Sequence, residues 1–223
     1  MVIKGVQDLY YAIITEDVNG YETYSKPKGL TNAGGEPIKI DVSPNTADGK
    51  LFGGNRLVEI VREMSGGTVS MEITALTPEV AIDLFGLRRS TNGILAYSAE
   101  DPAPFVGIGF RALGSKGQFR YVWIYKVKFG QPAINMATKT DSITFQTPTV
   151  SGDMVQLTKA DADGRHLWRI EADNDDTNVK KEVFENWFED VPFDLEFAPE
   201  NPEVDPDSRR TIIKDKQTMG KGI

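Results

Sequence analysis

The sequence predicts a mainly β fold with two helices, and three observations lead to this prediction. Apolar and polar residues alternate in several short runs, which is the spacing of strands with one buried face. Turn sequences rich in glycine separate these runs, and the 223 residues include 21 glycines and 12 prolines. Two stretches have instead the apolar spacing of amphipathic helices. A chain of this length can bury a hydrophobic core without disulfides or metal ions.

The composition excludes several classes of function. With 25 basic and 33 acidic residues the net charge is −8, and an acidic chain repels nucleic acid and anionic membrane surfaces. The chain has no cysteine and one histidine, His166, so thiol catalysis, thiolate metal sites and a multi-histidine zinc site are excluded. No run reaches the ~18 apolar residues of a membrane helix, and the first residues lack the order of a signal peptide. We therefore expect a non-secreted protein that does not enter a membrane.

The clearest local prediction is a β-hairpin in the middle of the chain. Every odd position of residues 119–129 is aromatic or apolar, which indicates a long strand with one fully buried face. Residues 105–113 form a second extended run, and Gly114–Gly117 is a short turn between the two. The same alternation predicts further strands at 38–42, 69–74, 94–97, 140–146, 154–158 and 165–170.

Two turns and two helices complete the predicted order of elements. Asn92-Gly93 marks a turn before 94–97, and Asp163-Gly164 predicts that 154–158 pairs with 165–170. One helix is predicted from its N-cap at Thr77 to its stop at Gly86, and another from about Thr177 to Phe188. Their apolar faces are Val80, Ala81, Leu84 and Phe85 in the first, and Val179, Val183, Phe184 and Trp187 in the second.

Two regions lack the pattern of a core. Residues 43–67 place several glycines around short apolar pieces, and we expect a long loop that is functional or bound to a partner. Residues 191–223 begin with a proline-rich acidic stretch and continue into a basic segment, which predicts an extended C-terminal arm. The main domain is therefore expected over residues 1–190. The basic segment at 209–214 is short enough to add as a strand to a neighbour's sheet.

None of the short motifs gives a convincing catalytic or ligand site. Gly109–Lys116 has the glycines of a phosphate loop, but its lysine follows the serine and a strand follows the motif. Asp161–Gly164 and Asp173–Asp176 lack the glycine and glutamate that a calcium loop requires at fixed positions. His166 lies in a predicted strand, where a structural hydrogen bond is the expected role. We expect no catalytic residue, no metal ligand and no cofactor.

Several blocks of sequence carry a family resemblance. They are GVQDLYYA at 5–12, PFVGIGFR at 104–111, RYVWIYK at 120–126 with Lys128-Phe129, TKTDSITFQTPTVSG at 138–152, and NWF at 186–188. In this order and spacing they resemble the major tail proteins, which build the tail tube, of long-tailed phages of Gram-positive bacteria. The resemblance extends over roughly residues 3–190.

The resemblance implies a fold and a function. The fold would be a β-sandwich or half-open barrel with a flanking helix, and the proline-rich extension after Asp190 departs from this compact pattern. Six copies would form a ring, and rings would stack into a tube around a tape-measure protein, with tail-tip and terminator proteins at the ends. The subunit would assemble in the host cytoplasm and reside in the virion tail. Genome DNA would pass through the tube without specific binding, which suits an acidic chain.

The expected subunit contacts lie in the two regions outside the core. In the 43–67 loop the candidate anchors are Leu51, Phe52, Leu57, Val58 and Ile60, and in the arm they are Ile212 and Ile213. The alternative for the loop is that its apolar residues fold back on the chain's own core.

Three other functions remain open at this point. A ring-forming protein of the head–tail joint or the tail tip would share the same features. A β-sandwich module that binds carbohydrate or a receptor would expose the aromatic strand Tyr121, Trp123 and Tyr125. A hydrolase with paired carboxylates is the third, although the sequence singles out no pair.

Overall fold

The computed structural model describes residues 1–31, 35–134, 136, 138, 145–161, 164–193, 195 and 197. The described chain is mainly β, as predicted, with two short helices. The strands are β1 (Ile3–Glu16), β2 (Glu22–Tyr24), β3 (Lys28–Gly29), β4 (Pro37–Gly53), β5 (Arg56–Ile73), β6 (Arg88–Arg89), β7 (Leu95–Ala96), β8 (Phe105–Gly114), β9 (Phe119–Phe129), β10 (Thr149–Val155) and β11 (Arg169–Asp173). The helices are α1 (Pro78–Phe85) and α2 (Lys181–Glu185).

Nine of the described strands form one large antiparallel sheet. Its order is β2-β1-β8-β9-β10-β5-β4, with β3 pairing with β1 and β11 pairing with β9. Strands β1 and β4 lie far apart in this order but contact each other. The two ends of the sheet therefore approach one another, and the sheet curls like a half-open barrel. Strands β6 and β7 form a separate small hairpin at the predicted Asn92-Gly93 turn.

Two hydrophobic clusters cover the two faces of the sheet. The main core packs α1 against five strands, and its fully buried side chains include Leu9, Met71, Ile73, Leu84, Phe85, Ile108 and Ile124. The second group, the aromatic cluster, packs the chain around α2 against the other face of β9. It contains Tyr121, Trp123, Tyr125, Leu157, Trp187 and Val191.

A β-bulge in β9 corrects the expectation of one buried face on that strand. Val106 lies opposite Val127, but Ile108 lies opposite Ile124, so β9 has one residue more than β8 in this interval. The extra residue lies at Tyr125–Lys126 and reverses the alternation of the side chains. Odd residues before the bulge belong to the aromatic cluster, whereas odd residues beyond it belong to the main core. Both faces of β9 are consequently buried.

The glycines of β8 allow large rings to approach its backbone. A Cβ on Gly109 would lie 2.6 Å from the ring of Trp123, and one on Gly107 would lie 3.0 Å from the ring of Tyr24. Any side chain at Gly109 would displace the indole. These glycines are therefore packing residues of the aromatic cluster.

The first helix agrees with its prediction, whereas the second is shorter. Gly86 ends α1 with a left-handed φ of 68°. Helix α2 begins at Lys181 because the preceding residues form turns, in which Asp176 Oδ1 accepts the backbone N–H of Asn178 at 2.9 Å. Of the predicted apolar face, Trp187 is buried but Val183 is exposed.

The pairing predicted across Asp163-Gly164 is present only in part. Leu157 N donates to Leu167 O at 2.8 Å, and an isolated bridge joins Ala160 to His166. The flanking strands β10 and β11 pair instead with β9. Met154 rather than Val155 is buried in β10. His166 makes the expected structural hydrogen bond, from Nδ1 to Leu157 O at 2.9 Å, while residues 162, 163 and 139–144 lie outside the described residues.

Candidate assembly surface

Residues 43–67 were expected to form a loop, but they are the outer part of a long β-hairpin. Strands β4 and β5 pair from Asn45 opposite Gly66 to Gly53 opposite Arg56, with one-residue shifts after Asn45 and after Leu51. Strand β10 pairs with β5 only over Gly67–Glu72. Beyond that point the two strands continue as a ribbon, and its part of β5, residues 56–66, spans about 35 Å. We call this ribbon, residues 45–66, the distal hairpin.

A two-residue turn closes the distal hairpin. Gly54 and Asn55 have positive φ values of 56° and 58°, which are the conformations that a type I′ turn requires at both central positions. Glycine and asparagine tolerate this region better than other residues do. The Gly54-Asn55 pair between apolar residues is the signal that would have predicted a hairpin here.

The pairing register places apolar side chains on both faces of the distal hairpin. Phe52 lies opposite Leu57, and Ile60 shares their face because a bulge at Leu57–Val58 shifts the alternation. This face continues the one on which Val69 and Met71 enter the main core. The other face carries Leu51, Val58 and Val61. Val58 Cγ2 lies 3.0 Å from the position that a Cβ on Gly53 would occupy. The Val58 side chain is therefore on this second face.

These side chains do not fold back on the chain's own core. Their exposed fractions are 57% for Leu51, 66% for Phe52, 46% for Leu57, 64% for Val58, 51% for Ile60 and 48% for Val61. The fold-back alternative is therefore wrong for the five predicted anchors. Val61 belongs to the same surface although sequence reasoning missed it, and Ile212 and Ile213 lie outside the described residues.

An exposed apolar ribbon of this kind is typical of an interaction surface. A two-stranded hairpin is only marginally stable in water, and monomeric proteins rarely expose large contiguous apolar patches. Within the ribbon, Arg62 Nε pairs with Asp48 Oδ1 at 2.8 Å, but an exposed ion pair contributes little to stability. The distal hairpin would gain most from a partner that covers its apolar side chains.

A buried ion cluster holds the other side of the sheet together. Lys126, at the β9 bulge, donates from Nζ to Glu16 and Glu22 at 2.8 Å each, and Glu22 also accepts the backbone N–H of Thr158. Glu22 and Lys126 are 3% and 5% exposed. Burial opposes ionisation of Glu22, but the hydrogen bonds from Lys126 and Thr158 lower its pKa from 4.5 to about 2. The cluster ties β1, β2, β9 and residue 158 into one rigid unit.

Neither a family match nor a metal site accompanies this surface in the part of the chain that the structure describes. No protein-family model matches the chain, and no curated protein matches it. In the part of the chain that the structure describes, no group of three or more histidine, cysteine or acidic residues could hold a metal ion. Neither described helix is long and apolar enough to cross a membrane.

Proposed function

We propose that this chain is the structural subunit of a phage tail tube, which assembles into stacked hexameric rings. The observation that carries the proposal is the distal hairpin, because its two apolar faces are exposed in the single chain. The hairpin occupies the segment in which the family resemblance led us to expect the assembly contact. The mainly β, curled sheet is the kind of body that the resemblance implies.

The outer edges of β2 and β4 support a ring. These strands lie at the two ends of the strand order, and a strand edge offers unpaired N–H and C=O groups to a neighbouring chain. Edge contacts between copies would be heterologous, which generates a closed ring when the rotation between copies divides a full turn. The distal hairpin would then join one ring to the next.

The remaining partners follow from the same proposal. The rings would enclose a tape-measure protein during assembly and meet tail-tip and terminator proteins at their ends. The net charge of −8 opposes binding of genome DNA, so the genome would pass without adhering. The subunit would reside in the virion tail after assembly in the host cytoplasm, and it would need no cofactor and no catalytic group.

The burial of the aromatic strand speaks against a sugar-binding module. Trp123 and Tyr125 are fully buried and Tyr121 is nearly so, whereas a stacking platform must be open to a sugar ring.

A glycoside hydrolase needs a general acid with a raised pKa. The described carboxyl groups with resolved shifts all have a lowered pKa.

Negative-stain electron microscopy of the concentrated protein tests the proposal. We expect hollow tubes or stacked rings for the natural sequence. A variant in which Asn-Gly replaces residues 48–62 joins the paired residues Ala47 and Glu63 and should remain a folded particle that does not form tubes. Tubes of normal length from this variant would contradict the assembly role of the hairpin. Single rings that never stack would instead favour a head–tail or tail-tip protein.

A matched pair of charge substitutions makes the test specific. Leu57→Asp places a charge on the distal hairpin, and Val2→Asp makes a similar change at an exposed position before β1, outside the edge strands β2 and β4. We expect Leu57→Asp to abolish tubes and Val2→Asp to leave them unchanged. Both variants should retain the melting temperature of the natural protein, because neither side chain is buried.

A further inference from the structure

An apolar groove lies at the other end of β5. It has a volume of about 450 Å³ and is lined by the chain that follows β5, by Tyr97, and by residues 132–134 and 146–149. Ile134 and Tyr97 are 78% and 52% exposed on its wall. The groove is open, and it has room for large apolar side chains.

The groove and the turn of the distal hairpin lie at opposite ends of one strand. The turn precedes Arg56, the first residue of β5, whereas Thr74–Leu76 of the groove directly follow Ile73, its last residue. The 18 residues of β5 span about 55 Å when extended. A single copy therefore cannot fold its own turn into its own groove without breaking the pairing of β4 with β5.

The charges at the two ends are of opposite sign. Residues 50–60 around the turn carry Lys50, Arg56 and Glu59, an excess of one positive charge. Beside the groove, Glu36 O accepts the backbone N–H of Thr74 at 2.9 Å, and Glu72 accepts a hydrogen bond from Thr147 at 2.5 Å.

One described cation, Lys39, lies beside these acidic residues. It is opposite Glu72 across the hairpin, and its Nζ pairs with Asp41 at 2.5 Å. The turn thus has a net positive charge, and the described acidic residues beside the groove outnumber this one cation. Such complementarity between two surfaces favours their association and fixes its direction.

We propose that the groove formed by Leu76, Tyr97, Pro132, Ile134 and Pro148 receives the tip of the distal hairpin of a second copy of this chain. This inference rests on the proposed function and names the surface that the hairpin contacts in the next ring. Phe52 and Leu57 enter the groove, while Lys50 and Arg56 meet Glu36 and Glu72.

The position of the two surfaces explains how an assembly of this chain would grow. The contact is heterologous, because the tip of one copy meets the groove of another. A stack of copies therefore keeps a free tip at one end and a free groove at the other. A heterologous contact that does not close continues indefinitely. Copies related by this contact therefore stack along the direction of β5.

Site-directed cross-linking tests the contact, and the absence of natural cysteine makes every introduced thiol unique. We would mix a Leu57→Cys variant with a Tyr97→Cys variant under assembly conditions and add a short bismaleimide. We expect heterodimers to form at least tenfold faster than in a mixture of Leu57→Cys with Val2→Cys, whose exposed thiol lies before β1. Circular dichroism and the melting temperature verify that each variant is folded.

Each outcome either supports the contact or overturns it. Tubes with rapid linkage of Leu57→Cys to Tyr97→Cys support it. Tubes in which this pair links no faster than the control overturn the groove contact but leave the tube function intact. A protein that remains monomeric at every concentration, with no preferred linkage, overturns both.

A groove-filling variant gives an independent readout. Ala133→Trp would occupy the groove from an exposed position on its wall and should reduce tube formation at least tenfold without lowering the melting temperature. Val2→Trp, at an exposed position before β1, is its control and should assemble normally. Normal assembly of Ala133→Trp would overturn the contact.

Discussion

Lys126 shows how one residue can depend on a local irregularity. The β9 bulge interrupts the alternation, and Lys126 at this point reaches two carboxylates from a buried position. A buried ion pair is weak evidence for net stability, but removal of one partner leaves an unpaired buried charge. The main consequence of losing Lys126 would therefore be a Glu22 carboxylate that is buried without a cation.

The first prediction concerns this cluster. Lys126→Met should lower the free energy of unfolding by about 3–5 kcal/mol, because Glu22 would remain buried without its cation. The double variant Lys126→Met/Glu22→Leu should recover most of that loss. Urea denaturation of the two variants and the natural protein measures the difference, and equal losses in the single and the double variant would contradict the role of the pair.

A second prediction concerns the pH dependence of stability. The pKa of Glu22 falls from 4.5 to about 2 on folding, so its contribution is fully present above pH 4.5 and is lost as the pH falls toward 2. The difference corresponds to about 3 kcal/mol. Glu22→Gln should remove this part of the acid sensitivity, and urea midpoints between pH 5.5 and pH 2 compare the two proteins. Parallel curves for both proteins would refute the assignment.

At the scale of elements, the distal hairpin was the largest difference from expectation. Its apolar residues were predicted to be contact residues from their position outside the core pattern. Their arrangement in strands was missed because glycine is frequent in the segment, and because side chains that face water on both sides give no alternation. The Gly54-Asn55 pair was the local sequence feature that indicated a hairpin turn in this segment. A strand that leaves the body of a protein lacks the burial on which pattern reasoning depends.

The turn gives a third prediction. Gly54→Val should strain a position with φ of 56° by about 1–2 kcal/mol, which would open the tip of the hairpin but leave the cores intact. Hydrogen exchange at residues 46–52 and 57–63 should accelerate roughly tenfold, with an unchanged melting temperature. Gly54→Asn is the control, since asparagine tolerates this conformation. Unchanged exchange in Gly54→Val would argue against the type I′ turn.

Other elements show where pattern reasoning succeeds and where it fails. The β8–β9 hairpin was predicted closely because its strands alternate over a long stretch. Helix α1 was predicted closely because Pro78 marks its first residue and Gly86 marks its end. The bulge in β9 was invisible, because odd positions remain apolar on both sides of it while the faces exchange. In α2 the turns around Asp176 compete with the first helical turn, a side-chain effect that apolar spacing does not record.

At the scale of the whole molecule, the packed body extends past the boundary expected at residue 190. Val191 is buried in the aromatic cluster, and Pro192 O accepts the Tyr125 hydroxyl at 2.6 Å. Phe193 packs on Tyr24 with 5.2 Å between ring centres. The segment that follows α2 therefore closes one face of the sheet.

This packing gives the fourth prediction, which compares two truncations. Removal of residues 198–223 should leave the cooperative thermal transition unchanged, because this proline-rich and charged segment has no core composition. Removal of everything after Asp190 should cost about 3 kcal/mol of buried contacts and lower the melting temperature by roughly 6–12 °C. Calorimetry of both proteins measures the difference, and equal melting temperatures would place the boundary back at 190.

The two-sided hairpin also restricts how this chain can change in length. One residue inserted in either strand would exchange its two faces beyond the insertion, so that both apolar surfaces would be broken. Two residues added to each strand keep the faces and lengthen the ribbon by about 7 Å. If the hairpin sets the distance between successive rings, that distance can therefore vary among related chains only in discrete steps. The hairpin would act as a molecular ruler for the axial repeat of the tube.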